Sequence, residues 1–235
     1  MIRKFSHKVK KGWAGLALLS AEVIIVLIIF IFSVVAFIFI TRNIFIIKNE
    51  QFDFKVFAFL QSYVSKTNNN IMLFFTFLGT HIFLIPANII LILFYLVIKK
   101  HRWYSIKIPV IALSSMALMF SLKAIFGRKR PDIPLLREAQ GFSFPSGHAF
   151  MSVTFYGLLI YIIWNTTMTK WIKWTIMILL FFLIIIIGFS RIYLRVHYPS
   201  DVFAGFAVGF LWLVISVRII NRIEKYSKQK ITPVV

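Results

Sequence analysis

Residues 142 to 164 read FSFPSGHAFMSVTFYGLLIYIIW. From Ser146 to Trp164 the run is apolar enough and almost long enough to cross the hydrocarbon core of a bilayer, which takes roughly 20 residues of helix. It opens on Ser146, Gly147 and His148, three residues that add nothing to a greasy span. A Ser followed by Gly suits the start of a helix, where unpaired backbone N–H groups and a partial positive charge make a natural seat for an anion. The fold therefore turns on whether this run is one membrane span among several, and the function on what the Ser-Gly-His mouth is for.

The rest of the chain answers the first point. Of its 235 residues 60% are hydrophobic and 27 are Phe, against roughly 45 to 50% apolar residues in ordinary soluble proteins. Six runs have the length and composition of spans: Trp13 to Ile40, Ile71 to Ile98, Ile108 to Phe126, Ser146 to Trp164, Trp171 to Phe189 and Ser200 to Ile220. No alternation of period two marks a membrane barrel. The expectation is an all-α integral membrane bundle of six transmembrane helices in one domain, residues 1 to 235. The first run follows a basic segment, RKFSHKVKK, yet it is longer than the roughly 7 to 15 residues of a signal-peptide core and is read as a helix. Between the first two runs, QFDFKVFAFLQSYV places Phe52, Val56, Phe59, Leu60 and Tyr63 at helical spacing, so an amphipathic helix in the membrane interface is expected over 51 to 64.

Charge sets the orientation. The net charge of +20 would suggest nucleic acid in a soluble chain, but the basic residues cluster at span ends, where they meet head groups. Six alternating spans put 16 Lys and Arg on the side of the termini and 11 on the other. By the positive-inside rule the termini are cytoplasmic. The absence of Cys removes disulfides, thiolate nucleophiles and Cys-based metal sites.

That topology brings four helix ends to the outer side. The third run ends KAIFGRKRPD, with Lys123 about a turn inside the apolar segment and Gly127 and Pro131 as stops. The fifth ends SRIYLRVHYPSD. There Arg191 offers a planar fork suited to phosphate oxygens. His197 and Asp201, four apart, are spaced so that the carboxylate can hold one imidazole nitrogen and leave the other as a nucleophile. Taken singly, each has a plain structural explanation: a helix start, an interfacial hydrogen bond, a snorkelling lysine. Together they put Lys123, Arg130, Arg191, two His, one Asp and a helix N-terminus on one side of a bundle, and ionisable groups in membranes default to function.

Lys123 with Arg130-Pro131, then Pro145-Ser146-Gly147-His148, then Ser190-Arg191 with His197 and Asp201, resemble all three signature motifs of the type 2 phosphatidic acid phosphatase superfamily. That superfamily includes bacterial undecaprenyl-diphosphate and phosphatidylglycerophosphate phosphatases, glucose-6-phosphatases and vanadium haloperoxidases. The resemblance implies a phosphohistidine route in which His197 attacks phosphorus and Asp201 orients it. It implies further that Lys123, Arg130, Arg191 and the backbone at Ser146 and Gly147 hold the phosphoryl oxygens, and that His148 protonates the leaving oxygen and then activates water. No metal or other cofactor is implied. The expected substrate is a lipid phosphate or diphosphate of the undecaprenyl, phosphatidylglycerophosphate, phosphatidic acid or lipid A type. Hydrolysis is expected at the outer face of the plasma membrane, with the bilayer as partner and neither nucleic acid nor an obligatory protein partner. A non-catalytic anion carrier or lipid translocator, and a phosphatase of soluble esters, are the competing functions.

Overall fold

The computed structural model describes residues 21 to 231, except 133, 137 and 138. Residues 13 to 20 of the first expected span, His7, the side chain of Glu22, Arg137 and Glu138 lie outside the described set. The described elements are helical throughout: α1 Ala21–Thr41 with a π turn Arg42–Ile47, α2 Gln51–Gln61, α3 Lys66–Phe77, α4 His81–Leu93 with a π turn Phe94–Ile98, α5 Arg102–Phe126, α6 Gly147–Trp164, α7 Lys170–Tyr193 and α8 Pro199–Ile231. Six helices are long and apolar enough to cross a membrane: Val23–Ile47, His81–Ile98, Arg102–Phe126, Gly147–Trp164, Lys170–Tyr193 and Pro199–Gln229. All six expected spans thus have a counterpart.

Their boundaries differ in informative ways. The second run, expected as one span from Ile71 to Ile98, is two helices. Thr80 interrupts it, accepting from the Phe83 N–H with its own hydroxyl as the cap of α4, the local alternative that Thr offers a backbone. The break at Gly79 has a steric reason as well. A Cβ there would lie 2.6 Å from Ile187 Cγ2 and 3.1 Å from His148 Cδ2, so only glycine lets the α3–α4 corner close on α6 and α7. The segment from Ile71 to Phe77 therefore belongs to α3, which packs on α7. Pro86 and Pro109 sit within α4 and α5 without ending them, as membrane helices tolerate.

The helix between the first two spans is present as α2, ends at Gln61 and turns one face to the bundle. Asp53, Phe57 and Leu60 are buried, the two apolar ones in a cluster with Ala149, Ile192, Tyr198 and Val202. Phe52, Phe59 and Tyr63 are exposed. The expected list mixed the two sides because both are aromatic.

α6 is the centre of the bundle. It packs on α8, α7 and α5, and half of its span is buried, as is half of that of α8, against 6% for α1 and α4. The contact with α8 depends on small residues. A Cβ on Gly205 would sit 2.7 Å from the Ser146 carbonyl oxygen, and one on Gly209 2.9 Å from that of Phe150. This is close helix approach of the kind small residues permit. On the opposite side of the membrane a buried Lys107 pairs with Glu224 at 2.7 Å and ties α5 to α8.

Gly205→Val forces a β-branched side chain against backbone that cannot yield, and should destabilise the detergent-solubilised protein by roughly 1–3 kcal/mol. Gly157→Ala, whose Cβ would meet only the movable end of Leu213 at 2.6 Å, should cost less. Thermal unfolding of the two variants side by side checks the order.

Candidate active site

The ends of α5, α6 and α7 that the topology brings together, with the turn that leads into α8, close around a cavity of about 800 Å³. Lys123, Arg130, Gly147, His148, Arg191 and His197 line its polar end. Two expected site residues, Ser146 and Asp201, do not line it; both are fully buried behind it. Most of the rest of the wall is apolar and comes from α4 and α5, including Leu84, Ile85, Ile89, Leu113, Met116 and Phe120, with His81, Asn88 and Gln140 as further polar lining.

Each cation is positioned by neutral acceptors. α5 ends at Gly127, which takes a left-handed conformation (φ 56°) and donates its N–H to the Lys123 carbonyl at 3.0 Å. The Lys123 ammonium in that last turn donates to the Phe142 carbonyl at 2.6 Å and to that of Ser143 at 3.5 Å. Arg130 donates to the carbonyls of Gly141 at 2.9 Å, Val196 at 2.7 Å and Gln140 at 3.0 Å. Arg191 donates from Nη1 to the Thr76 hydroxyl at 2.6 Å, while its buried Nε has no protein partner.

The nucleophile candidate sits in a turn between α7 and α8. The Arg191 carbonyl accepts from the N–H of Val196 at 3.2 Å and of His197 at 3.3 Å, and Pro199 starts α8. The expected direct clasp between His197 and Asp201 is replaced by a bridged one. Nδ1 lies 3.6 Å from Asp201 Oδ2, and Ser143 Oγ stands between them, 3.2 Å from Nδ1 and donating to Oδ2. Because a carboxylate only accepts, the hydroxyl proton goes to Asp201 and the hydroxyl oxygen receives the Nδ1 proton. That leaves a lone pair on Nε2, which accepts from Arg130 Nη1 at 3.2 Å and points into the cavity. Burial, the largest cause, together with Arg191, Arg130 and Lys123 pushes the His197 imidazole well below its ordinary pKa, against a smaller opposing contribution from Ser143.

The mouth of α6 differs from expectation at Ser146. Its hydroxyl makes no capping bond and is buried without a protein partner. Its N–H donates to the Asp201 carbonyl at 2.9 Å, so that donor is taken in this arrangement. Gly147, by contrast, faces the cavity, with the methylene end of Lys123 3.7 Å from where its Cβ would be. His148 Nε2 is buried without a protein partner, free for a ligand atom.

Three residues here escaped the sequence. Ser143 looked like part of a loop, and Thr76 like part of a span. Arg128, one of three consecutive basic residues from 128 to 130, was indistinguishable from its neighbours; it turns away from the cavity and binds Asp201, Ser200, Glu50 and Asp53. Only its spacing of two before Arg130 could have hinted at an opposite direction.

Residues 104–225 match the model of the PAP2 superfamily, a stretch that contains every site residue expected from the sequence. The chain belongs to the PAP2 superfamily. Among PAP2 relatives, it is 27% identical over 165 residues to phosphatidylglycerophosphatase B of Bacillus subtilis, covering 68% of this chain and 79% of that protein. It is also 27% identical over 192 residues to an undecaprenyl-diphosphatase of Sulfolobus acidocaldarius, covering 77% and 87%. The crystal structure of a transmembrane PAP2 type phosphatidylglycerolphosphate phosphatase from Bacillus subtilis superposes with a TM-score of 0.74 at 24% identity, over 83% of this chain and 96% of that one. The PAP2 fold of this multi-pass membrane protein is thereby established.

If the three cations form the seat of a phosphoryl group, orthophosphate should raise the melting temperature of the purified PAP2 protein, a hundredfold excess over Kd corresponding to about 2.7 kcal/mol of stabilisation. Arg191→Met should abolish that shift. Differential scanning fluorimetry in detergent, with sulfate as a salt control, measures it.

Proposed function

We propose that this PAP2 protein hydrolyses the terminal phosphate of a membrane lipid phosphate or diphosphate, with His197 as nucleophile and His148 as acid and base. The observation that carries this reading is the cavity itself. Its polar end holds three cations and two imidazoles, and its apolar wall is formed by α4 and α5, with Ile85, Ile89, Leu113 and Phe120 more than half exposed on faces that meet lipid. A head group at the cations can keep its chain in hydrocarbon. A soluble phosphate ester would leave that wall uncovered, which disfavours the second reading.

The geometry supports a two-step route. Nε2 of His197 gives up its contact with Arg130, attacks phosphorus in line and forms a nitrogen–phosphorus bond as the bond to the lipid oxygen breaks. His148 supplies the proton that the leaving oxygen takes. Water, losing its proton to His148, then cleaves the nitrogen–phosphorus bond and restores His197. Lys123, Arg130 and Arg191 meet charge on the equatorial oxygens, where the transition state spreads it. Ser143 and Asp201 keep the Nδ1 proton in place and stabilise the ring once phosphorylated. These fixed cations do the charge neutralisation that a metal performs elsewhere, so the reading needs none. An anion carrier would need neither the nucleophile nor its Ser143–Asp201 support. The excess of basic residues on the side of the termini supports a site at the outer face of the plasma membrane, with both termini cytoplasmic.

Phosphate release from a panel of lipid mono- and diphosphates, in EDTA, tests this. Release should persist in EDTA, vanish in His197→Ala and fall by about 10²-fold or more in His148→Ala. Full activity in His197→Ala overturns the nucleophile, and turnover restricted to soluble esters overturns the lipid assignment.

The pH dependence follows from the same burial. His197 must be neutral to attack, and its pKa is depressed. Activity is therefore retained on acidification past the ordinary imidazole value of about 6.5 and lost only as pH falls through the lower value in the folded protein. The acid limb of kcat/KM should lie below that of a free histidine and stay put across substrates whose own phosphates titrate differently.

A further inference from the structure

Behind His197, on the side away from the cavity, the structure holds a second charged cluster that the route above does not use. Arg128 is its hub. Nη1 donates to Asp201 Oδ1 at 2.6 Å and to Ser200 Oγ at 2.8 Å; Nη2 donates to Glu50 Oε1 at 2.8 Å and to Asp53 Oδ2 at 2.9 Å. The guanidinium also lies over the Tyr198 ring, 3.9 Å from its centre. Asp53, itself buried, accepts from the N–H of Ser200 at 2.9 Å and from its hydroxyl at 2.6 Å, and so holds the first turn of α8 where Asp201 begins. The Arg128 carbonyl accepts from the Ser143 N–H at 2.7 Å. Both partners of the His197 Nδ1 proton, Ser143 and Asp201, are thus tethered to one arginine.

We propose that Arg128, anchored by Glu50 and Asp53 at the start of α2, is the positioning residue that sets the Asp201 carboxylate and, through Ser143 and Asp201, the ring of His197. Among the described residues Arg128 is the one group that binds Asp201 Oδ1, the other oxygen serving Ser143 and the Tyr198 N–H. The planar fork matters because the two pairs of acceptors lie on different helices: one nitrogen takes α8, the other α2. A lysine carries the charge and not the fork. Burial works against the guanidinium charge, but Asp201, Glu50 and Asp53 outweigh it, so its pKa is raised. Arg128 does not line the cavity, so its loss acts on the nucleophile and leaves the phosphate seat in place. The segment from Glu50 to Gln61, which carries no cavity residue, acquires a role in the reaction: its acidic end fixes the arginine that fixes the carboxylate.

The test rests on His197-dependent turnover, so His197→Ala is run beside it. The charged and titratable groups facing His197 are Lys123 of α5, Arg130, His148 of α6, Arg191 of α7 and Asp201 of α8, with Arg128, Glu50 and Asp53 behind Asp201 and Asp132 near Tyr198. Arg128→Gln leaves three carboxylates without their cation. Lost positioning should lower kcat by about 10²-fold with KM little changed. The added negative potential should move the acid limb of kcat/KM to higher pH, whether His197 or Asp201 takes the proton. Arg128→Lys should keep the wild-type limb and still lose kcat by about tenfold, because charge survives and geometry does not. A loss of folded protein lowers kcat equally at every pH and moves no limb. The inference is overturned by an unshifted limb in Arg128→Gln, or by effects confined to KM. If Arg128→Gln does not fold, Arg128→Lys and Asp53→Asn decide: wild-type kcat in both overturns it, and a reduced kcat in both at unchanged KM upholds it. Should His197→Ala stay active, the nucleophile assignment fails first, and no Arg128 result counts for it.

Discussion

Three like charges must be held within one cavity before any anion arrives, and the structure does this with backbone carbonyls. Lys123, Arg130 and Arg191 donate to the carbonyls of residues 140 to 143 and 196 and to the Thr76 hydroxyl; among the described residues none of the three pairs with a carboxylate. A neutral acceptor fixes a cation without cancelling it. The charge stays available to phosphoryl oxygens in a place where little water competes, and the groups need not reorganise when phosphate binds. Arg128 shows the contrasting arrangement: its carboxylate partners consume its charge, and it serves as structure. Which partner an arginine has separates the two jobs, though Arg128 and Arg130 are two residues apart.

This division depends on the short chain from Gly127 to Pro145. Gly127 ends α5 in the left-handed region, Gly141 turns at φ 76°, and the carbonyls of residues 140 to 143 accept from Lys123 and Arg130. The same stretch delivers Ser143 to the His197 ring. The loop is therefore part of the anion seat by its backbone, with Gly141 held to its left-handed turn and Ser143 to the His197 ring.

The sequence carried the spans, because length and hydropathy in a bilayer admit few alternatives, and it carried His148, His197 and the three cavity cations, because ionisable groups stand out against an apolar background. It did not carry the break at Gly79-Thr80, whose cause is a neighbour from α7 far along the chain. Nor did it carry the inward face of α2, since aromatic residues on both faces blur the period. Ser146 is the cap of α6 as its position suggests, but its hydroxyl makes no capping bond and the Asp201 carbonyl takes its N–H. Asp53 reads as one more surface acid before a helix, and only the fold brings it to Ser200 and Arg128. Residues that act through other residues leave no local pattern.

The placement of buried and exposed helices completes the account of how a lipid reaches such a seat. α6 and α8 carry the Ser-Gly-His mouth and Asp201, and each is half buried across its span; α4 is almost wholly exposed. The rigid members of the bundle thus hold the groups whose mutual distances the reaction needs, and Gly205 and Gly209 lock the two together. α4 and α5 contribute most of the apolar wall of the cavity. In the proposed reaction a substrate that stays in hydrocarbon as its head group meets the cations gives up little of its apolar burial, so the attraction of the three cations goes to orienting phosphorus on Nε2 of His197.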